Sequence, residues 1–144
     1  MNFFEEIYLE MVRAERLHET ATDEAEKKEA TVIYSKAEAA IKELGNTACR
    51  IFRIFKDSKE CGNPYLDIND VVWEKDVEEL LSCMRDNGID RFTFSSTWSG
   101  AVETAWLFQQ NGCRLEGLVE VKSLQWNFAT HEYEKRHGYL FSLS

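Results

Sequence analysis

The first sixty residues carry apolar side chains at helical spacing, in three successive stripes. The first stripe predicts an amphipathic helix over residues 2–19, with Ala14 or Glu15 as its last inward position. A helix capped by Thr22 or Asp23 follows, and Gly45-Asn46 is typical of its C-terminal stop. A third helix begins after this stop. The inward positions of the three helices are Phe4, Ile7, Tyr8 and Met11, then Ala30, Ile33, Tyr34, Ala37, Ile41 and Leu44, then Ala48, Ile51, Phe52 and Phe55.

The pattern changes after Pro64, the single proline, which stands in the break Glu60–Pro64. Short alternating runs now predict strands, and two runs at helical spacing lie between them. The first of these helices holds Val77, Leu80, Leu81 and Met84, opens with a capping box at Asp76–Glu79 and ends at Asn87-Gly88. The second covers residues 98–110, with Ala101, Val102, Ala105, Trp106 and Phe108 as a broad apolar surface. The predicted strands are Tyr65–Ile68, Arg91–Ser95, Leu115–Val121 and Gly138–Leu143.

The order of these elements indicates an α+β fold. Because a helix joins the strands Arg91–Ser95 and Leu115–Val121, we expect a right-handed crossover and a parallel pair. The last strand is expected to return antiparallel to its predecessor. We therefore predict one domain over residues 1–144, with a helical subregion, 1–60, and a mixed subregion, 61–144. In this arrangement a bundle of about three helices packs on a small mixed sheet with two further helices.

The chain is acidic, with a formal net charge of −9 over 144 residues. Such a charge repels nucleic acid and attracts basic surfaces, so we expect no direct nucleic-acid binding. Residues 1–30 hold nine acids against four bases, and residues 61–90 hold eight against two. No apolar run reaches the roughly 18 residues of a membrane span, and the first residues lack the pattern of a secretory signal. These features predict a cytoplasmic protein that does not bind membranes; its oligomeric state stays open.

The cysteines and histidines do not form a recognisable metal motif. The four cysteines are far apart in sequence, and no two neighbours among them and the three histidines have the spacing of metal ligands. In a cytosolic chain the four cysteines are interpreted as small buried apolar groups or free thiols. We therefore expect no metal and no cofactor. The residues concerned are Cys49, Cys61, Cys83, Cys113, His18, His131 and His137.

The hydroxyl cluster Ser95–Gly100, between a strand and a helix, is the clearest candidate for chemistry. A nucleophile elbow requires Gly-x-Ser-x-Gly, whereas this segment has one glycine and Trp98 beside the turn. Free N–H groups at a helix N-terminus bind anions, but no glycine-rich loop or Walker lysine accompanies them. The simplest interpretation is structural, with Ser96 or Thr97 as the helix cap. Ligand binding and hydrolysis at this turn remain alternatives, and no catalytic residue is assigned.

Several segments together resemble a family of uncharacterised small acidic proteins carried on plasmids, phages and integrative elements of gut bacteria. The resemblance covers about residues 60–144 well and the helical part loosely. It is carried by Leu66–Asp70, Trp73–Asp76, Phe92–Phe108, Gly112–Glu120 and Tyr133–Phe141. Small acidic chains of such elements include anti-CRISPR inhibitors. The resemblance therefore implies a non-enzymatic inhibitor, acting in the bacterial host cell, that binds a CRISPR effector nuclease, type II among the candidates, or its guide-RNA complex.

An acidic helical surface can occupy the basic channel of such an effector and block DNA binding or cleavage. The residues predicted to contact this basic protein surface form two acidic groups and an aromatic pair. The main alternative is a regulatory or adaptor protein of a mobile element with another partner. The predicted contact residues are Asp67, Asp70, Glu74, Asp76, Glu78 and Glu79, then Glu5 and Glu6 with Glu10, Glu15 and Glu19 on the first helix, and Trp126 and Phe128.

Overall fold

A computed structural model describes residues 3–143 and confirms an α+β fold. The contacts divide the chain into two compact units, residues 1–52 and 53–144. Three helices come first, and a four-stranded mixed sheet with two further helices follows. In chain order the elements are α1 (Phe3–Thr20), α2 (Glu24–Lys42), α3 (Asn46–Cys61), β1 (Leu66–Ile68), α4 (Glu74–Asp86), β2 (Arg91–Phe94), α5 (Ala101–Gln110), β3 (Arg114–Asn127) and β4 (Glu132–Ser142).

In the first unit, α1 and α2 form a helical hairpin joined by residues 21–23. The predicted stripes point inward, and Ala14 rather than Glu15 takes the last buried position of α1. Leu44 was expected to be buried but is 48% exposed, because α2 ends at Lys42 and the chain turns at Gly45, where φ is +100°. The part of α3 that belongs to this unit contributes Phe52 to the buried core. Its ring packs edge-on against that of Phe4, with the ring centroids 5.7 Å apart.

The start of α2 confirms one of the two predicted caps. Asp23 is the N-cap residue, and its Oδ1 accepts a hydrogen bond from the backbone N–H of Glu26 at 2.9 Å. The Glu26 carboxylate reaches back and accepts from the N–H of Thr22 at 3.3 Å. Two N–H groups at this helix start are thus satisfied by side chains, which stabilises the short turn between α1 and α2.

Replacing Asp23 by alanine is expected to lower the free energy of unfolding by about 1 kcal/mol, because the N-cap acceptor is lost. Urea denaturation followed by circular dichroism measures the change. Asp23→Ser is the matched control, since serine also caps helices and should retain most of the stability. Equal losses in both variants would contradict the role given to the cap.

In the second unit the strands are ordered β1-β2-β4-β3. β1 pairs parallel with β2, and β4 pairs antiparallel with both β2 and β3, as predicted for β3 and β4. The predicted direct pairing of β2 with β3 is wrong, because β4 lies between them. The burial pattern gives the reason. Phe92, Thr93 and Phe94 of β2 are all buried, as is typical of a central strand, whereas most side chains of β3 are exposed, as suits an edge strand.

The β3–β4 hairpin is longer than predicted, because both strands continue through the segment that was assigned as a connection. Trp126 and Tyr133 face each other near its tip, with ring centroids 5.0 Å apart. β2 ends with Phe94 opposite Tyr139, so the hairpin extends beyond the end of β2. Its turn includes His131, with a φ of +56°. Cross-strand aromatic pairs stabilise such a ribbon without a third strand.

The helices of the second unit begin in places that the sequence did not predict. The capping box at Asp76–Glu79 is wrong: α4 begins at Glu74 after the N-cap residue Trp73, and Asp76 already donates a helical-turn hydrogen bond to the carbonyl of Trp73 at 2.9 Å. Glu74 and Asp76 lie in the first turn, where the helix dipole favours carboxylates. No helix within residues 3–143 is long and apolar enough to cross a membrane.

Candidate functional site

Two loops follow the parallel strands β1 and β2 and meet at the same edge of the sheet. The loop after β1 leads into α4, and the loop after β2 leads into α5. Val72 donates its N–H to the Thr104 hydroxyl at 3.1 Å, and a Cβ built on Gly100 would lie 3.1 Å from Cγ1 of Val71. In sheets of this kind, ligands and partners commonly bind where such loops meet.

The hydroxyl cluster Ser95–Gly100 forms the second of these loops. The prediction that Ser96 or Thr97 caps α5 is wrong, because the helix starts at Ala101 and its N-cap residue is Gly100, without a side-chain cap. The Ser96 hydroxyl instead accepts a hydrogen bond from the N–H of Trp98 at 3.2 Å and stabilises a turn inside the loop. Ser95 is 3% exposed, so its hydroxyl is not accessible to a substrate.

Asp67 is the centre of a buried polar cluster. Its carboxylate accepts hydrogen bonds from the hydroxyls of Thr93 and Ser95, both at 2.7 Å, and its N–H donates to Oγ of Ser58 at 2.9 Å. With 8% of its surface exposed, Asp67 does not belong to an exposed acidic surface, which corrects its predicted role in partner binding. Burial raises the pKa of this carboxyl, against the opposing effect of the bonds from Ser95 and Thr93 and the charge of Arg136.

Replacing Asp67 by asparagine is expected to remove a pH dependence of stability. A folded pKa above the unfolded value of about 3.9 means that the folded state binds more protons, so wild-type stability falls as pH rises from about 4 through the folded pKa. The variant should lack this slope and still bond to Thr93 and Ser95. Denaturation curves of both proteins between pH 4 and 7 measure how the free energy of unfolding depends on pH. Asp67→Ala should lose about 1–3 kcal/mol, because the buried hydroxyls lose their partner.

Each of the two loops carries an exposed tryptophan, and exposed carboxylates stand near Trp73 in the chain. Trp73 precedes α4 and is 69% exposed, and Trp98 in the second loop is 66% exposed. Asp70 and Glu74 lie within three residues of Trp73 in the chain, and Glu78 follows one turn later on α4; all three are exposed. We call Asp70, Trp73, Glu74, Glu78 and Trp98 the edge surface. The sequence prediction included its acids but missed both tryptophans, although Trp73 stands among acids in a loop.

The other predicted contact residues are dispersed. Asp76 is half-buried, whereas Glu79 is exposed on α4. Glu5 is half-buried and Glu6 is exposed. Both belong to the first unit, whereas the edge surface belongs to the second. Trp126 is 42% exposed beside Tyr133, and Phe128, at the hairpin turn, is 81% exposed. Both aromatic residues are therefore exposed, as contact with a partner requires.

The apolar surface predicted for α5 is only partly inward. Phe108 is fully buried, whereas Val102 and Trp106 are exposed and line a groove of about 430 Å³ between the helix and the strands β3 and β4. The prediction was wrong for Val102 and Trp106 because α5 carries apolar residues on two faces and the sheet covers only one of these faces. Leu115, Tyr139 and Ser96 also line the groove.

The thiols and acids provide no site for a metal. Within the described range 3–143, no three His, Cys, Asp or Glu side chains lie close enough together to hold an ion. The four cysteines are free thiols. Burial raises the pKa of Cys61 and Cys83, and that of Cys113 to about 11, so these thiols are poor nucleophiles at neutral pH.

A family model described as "Domain of unknown function (DUF7698)" matches residues 50–143. The match covers more than half of the chain, and the protein belongs to this family. The matched range, residues 50–143, includes all of the edge surface and the whole sheet. No curated protein and no solved structure matches the chain.

Proposed function

We propose that this member of the family is a non-enzymatic interaction protein that binds a basic protein surface through the edge surface. The observation that carries the proposal is the exposure of Trp73 between the exposed acids Asp70 and Glu74. Tryptophan is the residue type most enriched among binding hot spots, and surrounding charges select the partner and increase the association rate. A tryptophan exposed by more than two thirds has no role in the core of the described chain.

The edge surface has the geometry of a small docking site. The contacts between Val71 and Gly100 and between Val72 and Thr104 fix the two loops that carry Trp73 and Trp98, so little ordering entropy is lost on binding. The carboxylates of Asp70, Glu74 and Glu78 follow at intervals of four residues, which places Glu74 and Glu78 on one face of α4.

The proposed partner is a CRISPR effector nuclease in the bacterial cytoplasm, either free or loaded with guide RNA. Such nucleases hold nucleic-acid backbones in positively charged channels. Spaced carboxylates on a helix can replace phosphates there, and the net charge of −9 favours the encounter. The sequence resemblance to proteins of mobile elements supports this choice of partner. Binding would block DNA binding or cleavage without any transformation of a substrate.

A purified type II RNA-guided nuclease loaded with guide RNA tests the proposal. The protein should form a stable complex on size exclusion and abolish DNA cleavage at about equimolar concentration. Affinity capture from a bacterial host, with mass spectrometry, identifies the partner independently. Capture of a different basic protein, with cleavage unaffected, would exclude the nuclease and favour the adaptor of a mobile element.

A further inference from the structure

A second recessed surface lies in the helical hairpin of the first unit, outside the residues that the family model matches. It is a groove of about 420 Å³ between the C-terminal half of α1 and the middle of α2. We call it the hairpin groove. Its lining residues are Ala14, Glu15, His18 and Glu19 from α1 and Ala30, Thr31, Tyr34 and Ser35 from α2.

The groove exists because small side chains occupy the contact between the helices at this end. Ala14 and Ala30 are each 2% exposed and form the floor, where larger residues would fill the space. Tyr34 is half-buried and provides an aromatic wall. The remaining lining side chains are exposed and polar. The result is a recess with an apolar floor, an aromatic side and a hydrogen-bonding rim.

The rim carries the carboxylates of Glu15 and Glu19 together with the imidazole of His18. No lysine or arginine lines the groove. Among residues 3–143, no ion pair or side-chain hydrogen bond involves Glu15 or Glu19. The Thr31 hydroxyl donates to the carbonyl of Lys27 at 3.1 Å, so its lone pairs stay available as acceptors. The groove therefore complements a cationic group with several donors and a flat apolar face.

We propose that the hairpin groove binds the guanidinium group of an arginine side chain presented by a protein partner. A guanidinium is planar, carries five N–H donors and stacks on aromatic rings, so it uses the carboxylates, the hydroxyls and Tyr34 together. An ammonium group is compact and strongly hydrated, and it uses only the charges. The hairpin groove lies in the first unit and the edge surface in the second, so each of the two proposals can be tested independently of the other.

Nuclear magnetic resonance titration of the full chain tests this site. The probes are three blocked tripeptides, Gly-Arg-Gly, Gly-Lys-Gly and Gly-citrulline-Gly, where citrulline is the uncharged analogue of arginine. The arginine peptide should give saturable shifts at Glu15–Glu19 and Thr31–Ser35, the lysine peptide should bind more weakly, and the citrulline peptide should give no saturable shifts.

The double variant Glu15→Gln with Glu19→Gln should bind the arginine peptide about fivefold more weakly, because two exposed charge pairs are lost. Glu38→Gln with Glu134→Gln, two exposed acids outside the groove, removes the same number of charges and is the matched control, which should bind like wild type. The proposal is overturned if the double variant keeps full affinity, if lysine or citrulline binds as well as arginine, or if the shifts fall outside the groove.

Discussion

Replacement of Phe108 by alanine is expected to lower the free energy of unfolding by about 3–5 kcal/mol. Phe108 is fully buried on α5, and three phenylalanine rings surround it: Phe92 at 5.0 Å, Phe94 at 5.4 Å and Phe141 at 5.5 Å between centroids. These rings come from β2 and β4, so one side chain joins the helix to the two central strands. Its removal costs the transfer free energy of the ring and also leaves a cavity among these three rings.

Denaturant unfolding compares this variant with Val102→Ala in the same helix. Val102 is 79% exposed, so its replacement should change stability by no more than about 0.5 kcal/mol. The contrast tests which face of α5 is inward. A loss at Val102 as large as that at Phe108 would mean that the helix packs on the sheet through its other face.

Reversing two charges of the edge surface, Glu74→Lys with Glu78→Lys, is expected to weaken binding to the guide-loaded type II nuclease about 30-fold. Each reversal replaces an attraction by a repulsion, and about 1 kcal/mol for each exposed site gives about 2 kcal/mol in total. The melting temperature should fall only slightly, because both side chains are exposed and only Glu74 loses a favourable interaction with the helix dipole. The wild-type complex should also weaken as the salt concentration rises, and the difference in affinity between wild type and the double variant should become smaller.

The matched control for this variant is Glu38→Lys with Glu134→Lys, two exposed acids that are not part of the edge surface. Both double variants change the net charge from −9 to −5, since each reversal adds two charges. Isothermal titration at several salt concentrations measures the affinities. Equal weakening by the two variants would show that only net charge matters and that the edge surface has no specific role.

The helices were largely predictable because one face of each is buried. The inward positions of α4, Val77, Leu80, Leu81 and Met84, are all buried, as their spacing predicted. The strand order was not predictable in the same way, because a connection limits which strands are adjacent but does not determine it. The position of β4 between β2 and β3 depends on which strand tolerates exposure, and this involves residues far apart in the chain.

The candidate site was predictable only in part. The acids of α4 were found because charge is visible in a sequence. The burial of Asp67 was not, since it depends on the hydroxyls of Thr93 and Ser95 across a strand pair. Likewise, the exposure of Trp73 and Trp98 in the two loops is not apparent from the local sequence pattern. A tryptophan in a sequence pattern usually indicates a core position, and here both stand outside the core.

Amide hydrogen exchange of the protein, free and bound to the guide-loaded nuclease, tests the central claim most directly. The edge surface predicts that binding slows exchange in residues 69–82 and 97–99, which carry its two tryptophans and three acids, and leaves the exposed part of β3 unchanged. Slower exchange confined to other segments, or no change at saturating nuclease, would contradict recognition of a basic partner through the edge surface.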